Sequence, residues 1–371
     1  MKSLFHFFTR TKPTMNDILM PSMPPTPQIP PTPQIRIESA QNLTPDIFPK
    51  DCPSPTTIKH IIISGGGETG FAFYSALRES NQSGFWKIEN IESVYGTSVG
   101  SIFAILMVLL PQFDWNIYDD FISKRPWHHV FDINLNTIIQ SIHQKGLLGI
   151  KTVEDIFLPL FGAIDIPIDI TMADFYKITG IDLHLITAEI SNLELVDICH
   201  TNYPEWKVVD AVYCSACLPI LFIPHTINNR MYIDGGTLSN YPVKQCLENG
   251  ANPDEILGLN RVYTGNKVAP KIDTMVDYLL YIIGCLHAKV IIPSSPLKNQ
   301  IELYSDERFV SIYNVYNSCS NCVYRKQLLD EGVGAWREFY AKTYLTEPES
   351  QEPESQEPES PLDLILDGNG E

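Results

Sequence analysis

The chain has 371 residues, 44% of them hydrophobic and 19% charged, with a formal net charge of −18 at pH 7. That is enough apolar material for one large domain or two small ones. A body this acidic excludes a general attraction for nucleic acid or anionic lipid, and eight cysteines without an export signal read as reduced thiols.

Both ends lack core-forming patterns. The tandem hexapeptide at residues 24–35 (PPTPQI twice) favours an extended polyproline conformation, a spacer or a ligand for a proline-reading domain. From Glu347 to Glu371 the chain carries nine acidic and no basic residues around a recurring Glu-Pro-Glu-Ser-Gln. It therefore supplies half of the net charge and cannot offset the entropy of folding. The expected layout is a disordered Pro-rich leader over residues 1–55, one domain over 56–345 with its motif-bearing core at about 58–263, and a disordered acidic tail over 346–371. The apolar start, residues 1–8, is too short for a secretory signal, though the lack of acids before Asp17 leaves a mitochondrial presequence open. The runs Ile102–Leu110 and Leu279–Leu286 are too short to span a bilayer. An intracellular protein, cytoplasmic or peripheral to membranes, is expected.

In chain order, Ile58–Ser64 reads as a strand delivering Ser64-Gly65-Gly66-Gly67-Glu68-Thr69-Gly70, a loop of small residues whose amides stand open to a negative oxygen. A second strand, Ile91–Tyr95, runs into Gly96-Thr97-Ser98-Val99-Gly100. G-x-S-x-G between strand and helix is a nucleophile elbow, in which the glycines tolerate a strained backbone and clear space around the serine. Helices are predicted after both motifs. Residues 111–152 read as short amphipathic helices, either a cap over the site or aromatics that complete the core. Then follow a helix at Val153–Leu160, strands at Leu183–Glu189 and Leu193–Cys199, a helix at Val208–Ala216, and a strand at Tyr232–Asp234 ending in Asp234-Gly235-Gly236. Further strands are predicted at Glu255–Leu259 and Phe309–Tyr313, with helices at Asp273–Leu286 and Val323–Tyr340. Alternating strands and helices imply an α/β fold, a mostly parallel sheet flanked by helices, with the active groups at the carboxyl ends of its strands.

In this order the three motifs resemble those of the patatin-like phospholipases, which read G-x-G-x-x-G, G-x-S-x-G and D-G-[AG]. The approach to the aspartate is similar too, from Ser215-Ala216-Cys217-Leu218-Pro219 to Tyr232-Ile233-Asp234, with Asn240 and Pro242 following. Two positions depart from the pattern: Thr69 stands where a basic residue is frequent and Val99 where alanine is usual. The resemblance implies a Ser98–Asp234 dyad, with Ser98 as nucleophile and Asp234 as proton acceptor. The glycine loop Gly65, Gly66, Gly67 and Gly70 is the oxyanion hole, the Gly66 and Gly67 amides being its main donors. Gly96 and Gly100 form the elbow, and Gly235 and Gly236 the turn at the base.

The function expected is a serine lipid acyl hydrolase acting on phospholipid or acylglycerol esters at a membrane or lipid-droplet surface, without cofactor or metal. Alternatives are an acyltransferase using the same acyl-enzyme, or a silent interaction protein working through its Pro-rich and acidic ends. A dinucleotide reading of Gly65-x-Gly67-x-x-Gly70 wants an acidic residue at the end of the next strand, where this chain has the elbow. Cys214-x-x-Cys217 and Cys319-x-x-Cys322 have zinc-binding spacing, but lie about a hundred residues apart and read as buried thiols. A triad using His287, the one histidine after Asp234, would place that histidine on a helix instead of a loop.

Overall fold

The computed structural model describes residues 51–133, 135–264, 297–306 and 310–345, with positions 49, 275, 278, 279, 281–283 and 285. The Pro-rich repeat, the acidic tail, His287 and half of the helix expected at 273–286 lie outside the described residues; the seven described positions of that helix are helical. The body starts slightly earlier than the boundary at 55: Cys52 is fully buried and its amide donates to Ser83 O at 2.7 Å.

In chain order the main elements are β1 (His60–Ile63), α1 (Gly70–Gln82), β2 (Ser93–Thr97), α2 (Val99–Val108), α3 (Trp115–Lys124), α4 (Leu135–Gln144), β3 (Gly146–Leu148) and α5 (Ile150–Ala163). They continue as α6 (Met172–Thr179), β4 (Asp182–Glu189), β5 (Glu194–Ile198), α7 (Val208–Ala216), β6 (Ile220–Phe222), β7 (His225–Ile227) and β8 (Arg230–Asp234). The last are α8 (Val243–Glu248), β9 (Ile256–Tyr263), β10 (Gln300–Ser305), α9 (Ile312–Ser320) and α10 (Cys322–Tyr340).

The main sheet runs β10-β9-β1-β2-β4-β8-β7, with β5 also on β4. The pairs among β10, β9, β1, β2 and β4 are parallel, and β5, β8 and β7 join antiparallel. This is a mixed α/β fold around a mostly parallel sheet, with Ile61–Ile63 of β1 and all of β2 buried between helical layers. Helix α10 packs along α1 and closes one face with Trp336, which meets Phe85 edge-on at 5.0 Å.

Strand β4 has three partners on two edges. β5 pairs with Leu185–Glu189, β2 with Asp182–Ile186 and β8 with Thr187–Glu189. Because β5 overlaps both of the others in register, β2 and β8 must share the opposite edge, one running up it and the other running down.

One expectation needs correction, and two elements add to those expected. Of the strand expected at Phe309–Tyr313, Phe309 lies outside the described residues and the rest leads into a helix: Ser311 caps it, its Oγ accepting from Asn314 N at 3.3 Å, and the outer parallel strand is β10. The short apolar run carried no period to separate the two. Helix α6 had signals that went unread, Thr171 accepting from Asp174 N at 3.1 Å and Gly180 closing it in the left-handed region. The β7–β8 hairpin turns through Asn228 and Asn229, both at positive φ, a two-residue turn suited to antiparallel strands.

Candidate active site

At the C-terminal end of β2 the chain turns into α2 through Ser98, whose backbone sits at φ 57 and ψ −127. A non-glycine residue there carries on the order of 1–3 kcal/mol of strain. Two contacts hold the turn. Ser98 N donates to Ser215 Oγ at 3.1 Å, and Ser215 Oγ donates to Ile186 O of β4 at 2.7 Å. Behind it, Ser101 Oγ donates to Ser98 O at 2.6 Å. Gly96 and Gly100 let strand and helix cross closely: a Cβ on Gly96 would stand 2.6 Å from Gly100 O, and one on Gly100 would strike the carbonyls of Ile63 and Ser64.

Asp234 reaches the same point from the other direction. Thr97 pairs with Ile186 and Asp234 with Thr187, so Ser98 and Asp234 are brought together by two successive residues of β4 on one edge. Thr187 Oγ1 ties this junction to α7 and β8, donating to Cys214 O at 2.9 Å and Ile233 O at 2.8 Å. Gly235 packs directly on Ile186 O, and Gly236 N donates to Asp234 Oδ1 at 2.7 Å.

The Asp234 carboxyl is buried, and among the described residues no cation is set against it. Desolvation pushes its pKa up to about 6, while the Ser98 hydroxyl and the Gly236 amide pull it back down. The hydroxyl acts from slightly beyond ordinary hydrogen-bond geometry, since the buried Oδ2 has no partner at that range. The arrangement sets a buried carboxyl with a raised pKa beside a serine hydroxyl.

The glycine loop leaves β1 alongside Ser98; a Cβ on Gly65 would lie 3.0 Å from Ser98 Cβ. Asn240 grips it twice, Gly65 N donating to Asn240 O at 3.0 Å and Asn240 Nδ2 donating to Gly65 O at 3.1 Å. That contact engages the Gly65 amide, and the Gly70 amide is spent on the carbonyls of Glu68 and Gly67. Of the four loop glycines, Gly65 and Gly70 therefore shape the loop, and the amides in question as oxyanion donors are those of Gly66 and Gly67. Gly67 sits at φ 57 at the start of a short 3₁₀ turn.

Above Ser98 opens a cavity lined almost wholly by apolar side chains. Gly67 and Ser98 form part of its wall, facing Phe103, Leu218 and Val315. The segment read as either cap or core is both. Ile122 and Trp127 are buried, and with Phe121 and Phe131 they wall the cavity. Arg125 braces this wall, its guanidinium 4.8 Å from the Trp127 ring and 4.9 Å from Phe121, donating to the carbonyls of Asp155 and Ile156. Arg325 braces the opposite wall, donating to Ser318 O at 2.7 Å, Cys319 O at 3.2 Å and Ser123 O at 3.0 Å. Val99 packs its methyl against Gly70, so the departure at this position fills the space behind the loop. Sequence reasoning gave no role to Ser215 or to the two arginines, whose partners lie far away in the chain. Cys214, Cys217 and Cys319 are buried thiols and Cys322 is exposed.

A serine at a strand–helix elbow, facing a buried carboxylate and a glycine loop beneath an apolar cavity, places the chain among the α/β proteins built around a nucleophile elbow. A family model for patatin-like phospholipases matches residues 61–247, just over half of the chain, and the protein belongs to that family. Over 193 residues it is 28% identical to "Probable lipid hydrolase 463L" of Invertebrate iridescent virus 6, and over 195 residues 26% identical to "Uncharacterized protein R571" of Acanthamoeba polyphaga mimivirus. Each match takes in 51% of this chain and 63% or 62% of the relative, so the chain spans less than two thirds of the curated relatives it matches. Among solved structures, VipD from Legionella pneumophila is similar with a TM-score of 0.42 and 14% identity, over 75% of this chain and 67% of that one. ExoU of Pseudomonas aeruginosa, in complex with SpcU, is similar with a TM-score of 0.38 and 12% identity, over 79% and 53%.

Proposed function

We propose that the protein is a lipid acyl hydrolase that cleaves fatty-acyl esters of phospholipids or acylglycerols through a Ser98 acyl-enzyme. The observation that carries this reading is the convergence of Ser98 and Asp234 on successive residues of β4 beneath an apolar cavity. The acyl chain lies in that cavity with its ester carbonyl over Ser98; the lining is apolar and carries no charged side chain but Glu68. Ionised Asp234 takes the Ser98 proton as the hydroxyl attacks. The amides of Gly66 and Gly67 hold the resulting oxyanion, donors fixed in advance so that no solvent must reorganise. Collapse expels the alcohol, which takes the proton from Asp234, and water repeats the sequence to release the fatty acid.

The name of the viral relative, a probable lipid hydrolase, agrees with this reading. Access to a membrane or lipid-droplet surface would rest on apolar contact, given the acidic body. The test is labelling by a fluorophosphonate together with a lipid panel. Labelling and loss of one lipid class should both require Ser98, and an unlabelled wild-type protein would overturn the proposal in favour of the interaction-protein alternative. Trapping the acyl-enzyme with an added alcohol distinguishes an acyltransferase.

A further inference from the structure

A second polar cluster lies at the other end of β4. In the β4–β5 ladder Leu185 faces Ile198 and Ile186 faces Asp197, so His184 falls opposite Cys199. Strand alternation then puts Asp182, His184, Asp197 and Cys199 on one face of the sheet. His184 Nδ1 stands 2.8 Å from the Asp197 carboxylate, and the ligand atoms of His184, Asp197 and Cys199 all lie within 4.8 Å of one another. Among the described residues, this is the group that brings three such donors together.

The surroundings fix the ring. His184 Nε2 is 3.2 Å from Asp182 Oδ2, Asp182 Oδ1 is 2.8 Å from His200 Nδ1, and Tyr95 stacks on the imidazole at 4.1 Å. A carboxylate on the far nitrogen of a histidine, leaving the near one toward a thiol and a second carboxylate, is how metal-ligating histidines are oriented. The N, O and S donor set suits zinc better than calcium or magnesium, which take oxygen alone. Histidine and cysteine are buried, while Asp197 keeps 20% of its side chain exposed, which gives an ion a route from solvent.

We propose that His184 Nδ1, Asp197 and Cys199 bind a divalent transition cation of the zinc class, with Asp182 orienting His184 and solvent in the fourth position. Tetrahedral ligand atoms sit about 3.3–3.8 Å apart, so binding spreads the His184–Asp197 pair slightly and draws Cys199 inward. The thiol proton and the proton between Nδ1 and Asp197 leave to solvent, since both ligands bind deprotonated. The ion pins β5 to β4, the strand on which Thr97 and Asp234 are both registered, and takes no part in ester cleavage.

The test uses the full chain, stripped with a chelator and titrated with Zn²⁺ alone and with Co²⁺. One equivalent of Zn²⁺ should bind and raise Tm, and the Co²⁺ form should show one thiolate charge-transfer band. Cys199→Ala should abolish that band and weaken Zn²⁺ by at least about 100-fold, and Asp182→Asn should weaken it about 10–100-fold. Cys214→Ala should change neither. Absence of stoichiometric uptake, uptake indifferent to Cys199→Ala, or loss on Cys214→Ala would overturn the site. If Cys199→Ala does not fold, Cys199→Ser keeps an oxygen donor, and persistence of the thiolate band in that variant rejects the assignment.

Discussion

Two stretches of β4 hold carboxylates in opposite circumstances. At the lower end Asp182 and Asp197 flank His184, and although burial alone would raise the Asp182 pKa, hydrogen bonds from His184 and His200 hold it below the usual carboxylate range. At the upper end Asp234 has only a hydroxyl and one amide beside it, and its pKa rises to about 6. A compensated carboxylate contributes cohesion, whereas an uncompensated one remains available to take a proton. The sign for stability follows. The folded chain binds the Asp234 proton more tightly than the unfolded chain does, so stability from this group is greatest below about pH 4 and declines until about pH 6. Above that the penalty is constant, on the order of 3 kcal/mol.

The contrast breaks first at the upper end. Ser98→Ala and Asp234→Asn should each lower kcat on a short-chain ester by on the order of 10⁴ or more, because groups acting as one unit fail together. Circular dichroism should be unchanged, and Asp234→Asn should raise Tm at pH 7.5. Activity above a small fraction of wild type in either variant removes the dyad. Gly66→Ala and Gly67→Ala keep the amide N–H but displace it, and should cost up to about 10²–10³ in kcat, the loss of a donor being the upper bound. A Cβ on Gly66 meets Arg261 Cδ at 2.8 Å and one on Gly67 meets Val310 at 2.5 Å, so far-UV spectra must accompany the rates.

The lower end should respond the other way. His184→Gln is expected to lose about 1–3 kcal/mol in urea unfolding while the kcat of the folded protein stays within a few-fold, since it strands the half-buried Asp182 and Asp197 carboxylates and removes no group of the Ser98 site. A large fall in kcat at unchanged stability would merge the two ends into one site. Between them in size is Ser215→Ala, which frees the Ser98 amide: about 1 kcal/mol of stability and roughly tenfold in kcat.

The smallest effect is expected from His287→Ala, which should keep most activity; a loss of several thousand-fold with the fold intact would make this a triad enzyme. The acid limb of the pH–rate profile cannot decide that question by position, because an Asp234 pKa of about 6 falls beside the imidazole value of about 6.5. Its temperature dependence can, since carboxylate ionisation is nearly athermal and imidazole ionisation is not.

Some of this was fixed by covalent neighbours. Ile61-Ile62-Ile63 ahead of a glycine loop, and Ser98 flanked by Gly96 and Gly100, dictate a strand, a bend and a helix from local sterics, and those elements are read directly from the chain. The order of the three motifs likewise names Ser98 and Asp234 before any coordinate. Their meeting is another matter. It depends on β4 accepting β2 and β8 on one edge, and on an antiparallel hairpin whose Asn228-Asn229 turn was overlooked. The pKa of Asp234, the Asn240 grip on Gly65 and the Ser215 bridge to Ile186 also belong to tertiary structure. Each couples residues separated by tens to more than a hundred positions, and burial, which sets the dielectric around a charge, is a property of the packed whole that no local pattern encodes.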